Sequence, residues 1–205
     1  MGTFRRCLPR LFENRCPHGS SFRALLLAAL LCSSTLLPSQ NAAQTRHPTQ
    51  DDVEAAYLYN FGRFVHWPPN PRRYTLNICI LGSDPFGSTL DRILANETIN
   101  GLGLAAMRLS DTASVQSCAI VFLGYSEASH LDRDLSALAA LPVLTVSDMP
   151  GFIEHGGMVQ FVLENDNVRF EVNLSAANKS GLALSSQLLK VAARVVGNPD
   201  TRGAR

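Results

Sequence analysis

The chain has 205 residues, with 18 Lys+Arg against 17 Asp+Glu and a formal net charge of +1. The positive excess is concentrated at the start, where Arg5, Arg6, Arg10, Arg15 and Arg23 face Glu13 alone. Without residues 1–43 the remainder carries a charge near −3 and has no basic run. That excludes nucleic acid as an expected partner, because phosphate binding is driven by clustered Lys and Arg.

The basic start runs into an apolar stretch at 24–37 and then small and polar residues at 38–43. A basic segment, an apolar segment of about fourteen residues and a small-residue exit make a secretory signal peptide. A membrane anchor needs about 20 apolar residues; this run is shorter and is diluted by Ser, Thr and Cys. Leu31, ahead of Cys32, is too bulky for a lipoprotein signal. The expected division is a removed signal peptide at 1–43, a flexible leader at 44–50, one α/β domain at 51–197 and a disordered tail at 198–205. The expected destination is outside the cytoplasm, after export.

Asp51-Asp52 is placed to cap a helix through VEAAYLYNFGRFVHW, which Pro68, Pro69 and Pro71 end. A strand at 75–81 and a turn at 82–85 lead to a helix at 86–96 with Asp84 as its cap. A short strand at 104–109 follows a turn at 99–103, and 110–112 starts a short helix or turn. The run at 118–123 is apolar throughout, as in a parallel strand buried on both faces. A helix at 126–141, a strand at 143–146 and a turn with a short helix from 147 precede MVQFVL and VRFEVNL. These flank Glu164-Asn165-Asp166-Asn167 and form a hairpin. Residues 182–196 then recur at helical spacing and read as one amphipathic covering helix. Strand and helix alternate, so the fold class is α/β. The expected architecture is a three-layer α/β/α sandwich with a mostly parallel central sheet, a C-terminal β-hairpin at its edge and a covering C-terminal helix.

Cys7, Cys16 and Cys32 leave with the signal, and Cys79 and Cys118 remain. An even pair in an exported chain makes a disulfide the default, with two buried thiols as the alternative. Both lie in runs read as strands, whose spacing of about 4.8 Å suits a disulfide.

Candidate chemistry is sparse. Gly82 and Gly87 have the spacing of a phosphate loop, but no Lys-Ser/Thr follows, and a plain turn is the better reading. There is no CxxC, no HExxH and no G-x-S-x-G, so neither a metal or other cofactor nor a catalytic nucleophile is expected. His66 and His155 adjoin element ends, and Asp132 with Asp134 reads as a solvated stretch. Arg169, Glu171 and Asn173 alternate with Phe170 and Val172 and so share one strand face. Such a row suits a solvated face, a structural polar network or a recognition surface. Arg63, Phe64 and Trp67 close the first helix with the mixture of Arg and aromatic residues that interface hot spots favour.

Four ordered motifs, AAYLYNFGRFVHWP (55–68), NICILGSDPFGSTLD (77–91), PVLTVSDMPGF (142–152) and the run 156–196, resemble the YfiR family of periplasmic regulators. The resemblance implies an α/β fold without catalysis. It implies binding to, and repression of, the periplasmic sensor domain of a membrane diguanylate cyclase. Release would come through sequestration by an OmpA-like outer-membrane lipoprotein. It also implies a disulfide, matched by Cys79 and Cys118, and a possible homodimer; a second cysteine pair has no counterpart here. The expected contact region is Arg63, Phe64 and Trp67 with Arg169, Glu171 and Asn173. The rival reading is a small periplasmic solute-binding protein, with its ligand at the loops 82–86, 124–126 and 147–152.

Overall fold

A computed structural model describes residues 47–70 and 74–197. The signal peptide at 1–43, the start of the leader and the tail at 198–205 lie outside the described residues. Among those described, no helix is long and apolar enough to cross a membrane.

The first helix, α1 (Gln50–Phe64), starts earlier than Asp51-Asp52 suggests. Thr49 is its cap, accepting from the Asp52 amide at 3.2 Å, while the Asp52 carboxylate accepts from the Thr49 amide at 3.0 Å. This reciprocal capping box satisfies two amides that the helix leaves unpaired. The helix runs into β1 (Val65–His66). Next come β2 (Thr75–Leu81), α2 (Ser88–Leu94), β3 (Thr98–Ile99) and β4 (Leu102–Leu109). Asn100 and Gly101, both at positive φ, make the two-residue turn between β3 and β4. Asp84 does not cap α2; its Oδ1 accepts from the amides of Phe86 and Gly87, at 2.8 and 3.2 Å.

A 3-10 turn (Thr112–Ser117) leads into β5 (Cys118–Leu123). A second 3-10 turn (Tyr125–His130) occupies the first half of the expected helix, and only α3 (Leu131–Leu138) is α-helical. Then follow β6 (Leu144–Ser147), β7 (Val159–Glu164) and β8 (Asn167–Asn173). Asn165 and Asp166 turn the β7–β8 hairpin at φ 51° and 60°, in the place expected.

The C-terminal stretch departs from a single helix. It divides into α4 (Leu174–Lys179), β9 (Ala183–Leu184), α5 (Ser186–Val191) and β10 (Arg194–Val196). Leu188 anchors the helical part in the core. Val195 and Val196 are β-branched and pair in parallel with Val172 and Asn173 of β8.

The main sheet runs β10-β8-β7-β6-β5-β2-β4-β3, and β1 pairs with β9 in a separate ribbon. All pairings from β7 to β4 are parallel; β8 is antiparallel to β7, and β3 to β4. Helices lie on both faces, as the three-layer reading requires. On one face Phe61, Tyr57, Phe161 and Phe170 interlock, with Phe61 centred 5.2 Å from Phe170 and 5.9 Å from Phe161. Next to Phe61, Gly62 lets α1 approach β3: a Cβ there would sit 2.8 Å from Ile99 Cδ1. The other face packs Val121, Leu123, Leu131, Leu135 and Phe152.

Cys79 and Cys118 are bonded across β2 and β5, with Cα atoms 5.9 Å apart. A register shift next to Asn77 makes this possible. Ala119 is the extra residue of β5, so Ala119 and Ile120 both point to the α1 face. Strict alternation back from Val121 would have turned Cys118 to that face; the bulge returns it to the face of Cys79.

Candidate functional site

Arg63, Phe64 and Trp67 cluster where α1 ends. Arg63 is exposed and the two aromatic rings are half-buried against the α1-face core. The Trp67 indole N–H donates to the Ala119 carbonyl at 3.0 Å, which fixes the ring over the start of β5. The Phe64 carbonyl accepts from the Ser185 amide at 2.9 Å, and Val65 pairs with Leu184. These bonds tie the end of α1 to the C-terminal stretch. Beside Trp67 lies a groove of about 310 Å³, lined among others by Gly62, Val65, Pro68, Leu76 and Ile99.

Arg169, Glu171 and Asn173 do share one face of β8, because Phe170 and Val172 fill the α1-face core. That places them across the sheet from Phe64 and Trp67, so the six residues form two patches rather than one. Each also has an internal partner. Arg169 donates to the Val191 carbonyl at 3.3 Å. Glu171 pairs with Arg194 of β10, which also reaches Glu154 at 3.1 Å. Asn173 caps α4, its Oδ1 accepting from the Ala176 amide at 3.1 Å. The Glu171 bond, with help from Glu154, raises the pKa of Arg194. The row is therefore at least a polar network that holds β10 and α4 against β8.

At the carboxyl ends of the strands the loops at 82–86 and 124–126 close on each other. The Ser83 amide donates to Ser126 Oγ at 2.8 Å, and a Cβ at Gly124 would lie 2.1 Å from the Ser83 carbonyl oxygen. These contacts join the two loops directly above β2 and β5.

Two acids escaped the sequence reading, buried Glu54 and half-buried Asp148. Glu54, in the first turns of α1, is 1% exposed; its Oε1 accepts from Gln50 at 2.8 Å and its Oε2 has no partner. Burial, supported by the nearby charges of Asp148 and Asp51 and opposed by the Gln50 bond, pushes its carboxyl up to about 7. Burial raises Asp148 as well. A periodicity signal existed for Glu54, which lies one turn before Leu58 and shares the buried stripe of Leu58 and Phe61. Asp132 is exposed beside His155, as a solvated stretch requires, but Asp134 is buried and held through one oxygen by Arg133. Among the described residues no group of three or more His, Cys, Asp or Glu is placed to hold a metal ion.

The sequence pattern of the family described as YfiR/HmsC-like matches residues 51–193. The chain belongs to this family. The match spans α1 to the junction before β10, so both patches lie in the part that defines membership. Two solved structures share a general likeness. One is an ABC domain from Streptococcus pneumonia in complex with L-Trp, 12% identical with a TM-score of 0.46. It matches over 68% of this chain and 59% of its own. The other is a conserved domain protein from Vibrio cholerae, 11% identical with a TM-score of 0.47, matched over 72% of this chain and 60% of its own. This chain thus spans about three fifths of each.

Proposed function

We propose that this YfiR/HmsC-like chain is an exported, non-catalytic regulator. It binds the periplasmic sensor domain of an inner-membrane diguanylate cyclase and holds the cyclase inactive, and an OmpA-like outer-membrane lipoprotein withdraws it. Family membership over residues 51–193 is the observation that carries this reading. The fold adds support: the surface offers an aromatic–Arg cluster at Arg63, Phe64 and Trp67. The mechanism is differential binding. A repressor shifts a two-state sensor only by its preference for the inactive state, typically about 1–3 kcal/mol of coupling.

Docking is assigned to both patches, with Arg63, Phe64 and Trp67 as anchor and Arg169, Glu171 and Asn173 as a second contact. Half-buried and hydrogen-bonded on one side, Trp67 presents a ring whose conformational entropy is already lost, which suits a hot spot. Titration of the oxidised chain against the purified periplasmic domain of a cyclase from the same genome tests this. Trp67→Ala is expected to weaken binding at least tenfold, and Glu171→Ala less. Folded variants that both bind as tightly as the parent would remove the surface from consideration.

A further inference from the structure

The chain holds a single Asn-Gly pair, Asn100-Gly101, and the fold sets it at the tip of the β3–β4 hairpin. Both residues are exposed, at φ 53° and 80°. Among the described residues the Gly101 amide meets no backbone acceptor, and no hydrogen bond holds the Asn100 side chain. A Cβ at Gly101 would find nothing within 4 Å, so the space around its backbone is open. Every other asparagine of the chain is followed by a residue that carries a side chain. Some of these are also held: Asn77 donates to the Ser117 carbonyl at 2.9 Å, and Asn173 caps α4.

An asparagine amide and a free backbone N–H next to it can react with each other in water. The Gly101 nitrogen, its proton taken by hydroxide, forms a bond to Asn100 Cγ. The Cγ–Nδ2 bond breaks and Nδ2 leaves as ammonia, which closes a five-membered imide. Water then reopens the ring. Cleavage at Cγ gives aspartate, and cleavage at the main-chain carbonyl carbon gives isoaspartate. One water enters, one ammonia leaves, and nothing is oxidised or reduced. A side chain on the following residue crowds the attack, and glycine has none.

We propose that the Asn100–Gly101 turn is a site of spontaneous deamidation, and that its isoaspartate product loosens the wall of the groove beside Trp67. Isoaspartate routes the main chain through its Cβ, so a two-residue turn gains one backbone atom and a carboxylate. The strand it ends is short: β3 pairs with β4 only through Thr98 with Gly103 and Ile99 with Leu102. Asn100, Ile99 and Leu102 line the groove together with Trp67 and Pro68. Ile99 is buried, with its Cδ1 set against Gly62 of α1. A change in the turn therefore reaches the groove through Ile99. The modification needs no partner; its effect on docking rests on the role proposed for Trp67.

The oxidised mature chain is held in mildly alkaline buffer for several days, and aliquots are digested for mass spectrometry and scored for isoaspartate. Conversion at Asn100 is expected to run about tenfold or more ahead of every other described asparagine, since only its successor lacks a Cβ. Trp67 is the chain's single tryptophan and reports on the groove. Its emission should shift to the red as isoaspartate accumulates. Asn100→Gly suits the positive φ and has no side-chain amide, so its emission should hold steady through the same incubation. Asn100→Asp adds the charge on an unaltered main chain and should keep the emission of the fresh parent. The aged parent should bind the periplasmic domain of the cyclase several-fold more weakly than the fresh one. A fresh parent that does not bind counts against the docking proposal alone, because mass and emission are read without a partner. Three results overturn the inference: Asn100 intact in the folded chain while the urea-unfolded chain converts, full conversion with unchanged Trp67 emission, or a shifted emission in fresh Asn100→Asp.

Discussion

At the hairpin end of the sheet, β10 is three residues long, is pinned by Arg194 to Glu171 and Glu154, and lies beside an aromatic cluster built on Phe61. At the other end β4 is eight residues long, without a strand on its outer side beyond Gly103, and stiffened from within by the disulfide one strand away. The first end is secured by side-chain ion pairs that tie β10 to β8 and to Glu154. The second is secured by a covalent bond that leaves the edge main chain free. The difference shows that stability and openness are separable in one sheet: a crosslink across β2 and β5 holds register without occupying the hydrogen bonds a partner strand would use.

The comparison breaks most severely at Phe61. This ring is fully buried and touches Tyr57, Phe161 and Phe170. Phe61→Ala is expected to lower stability by about 4–5 kcal/mol, measured by urea unfolding. Amide protection should fall first in β7 and β8, with β2 and β5 affected later.

Removing the crosslink strikes the opposite end. The disulfide spans 39 positions, and closing a loop of that size is worth about 3–4 kcal/mol on the chain-entropy model. Replacing both Cys79 and Cys118 by Ala should lower stability by that order in the same assay. Protection should now be lost from β2, β4 and β5 while the Phe61 cluster persists. If both changes melt the two ends together, the ends are one cooperative unit and the contrast has no energetic meaning.

The smallest effect is a pH dependence centred on Glu54, between the two ends. Its carboxyl lies near 7 in the folded protein against about 4.5 ordinarily. Between those values the folded chain holds a proton that the unfolded chain has released. This contribution to stability is complete below about pH 4.5 and is lost as pH rises through 7. Glu54→Gln keeps the shape and removes the titration. It is expected to match the parent at about pH 4 and exceed it by on the order of 2 kcal/mol at pH 8. A variant equally offset at both values would show that Glu54 does not titrate in this window.

Much of the architecture was legible because strands buried on both faces, such as CAIVFL, announce themselves as unbroken apolar runs, and Asn165-Asp166 carries its turn in its residue types. The C-terminal stretch was misread because Leu188 and Leu189 repeat helically while Val195 and Val196 take their state from β8, a partner distant in sequence. The alternation of Arg169, Glu171 and Asn173 was readable. Their partners Val191, Arg194 and Ala176 were not, since each lies on an element whose position only packing decides. That Trp67 lies across the sheet from this row follows from Phe170 and Val172 facing α1, a fact about layers rather than sequence spacing. Likewise the bulge at Ala119, which sets Cys118 toward Cys79, leaves no local mark.

The most direct test of the proposed regulatory role is enzymatic and uses the proposed partner. Membranes bearing the diguanylate cyclase, oriented with its periplasmic domain accessible, are assayed for cyclic di-GMP with increasing amounts of the oxidised mature chain. The account predicts that synthesis falls to a saturating minimum and that Trp67→Ala shifts the curve to higher concentration. Synthesis unchanged at saturating protein, with the chain folded and its disulfide intact, would contradict it.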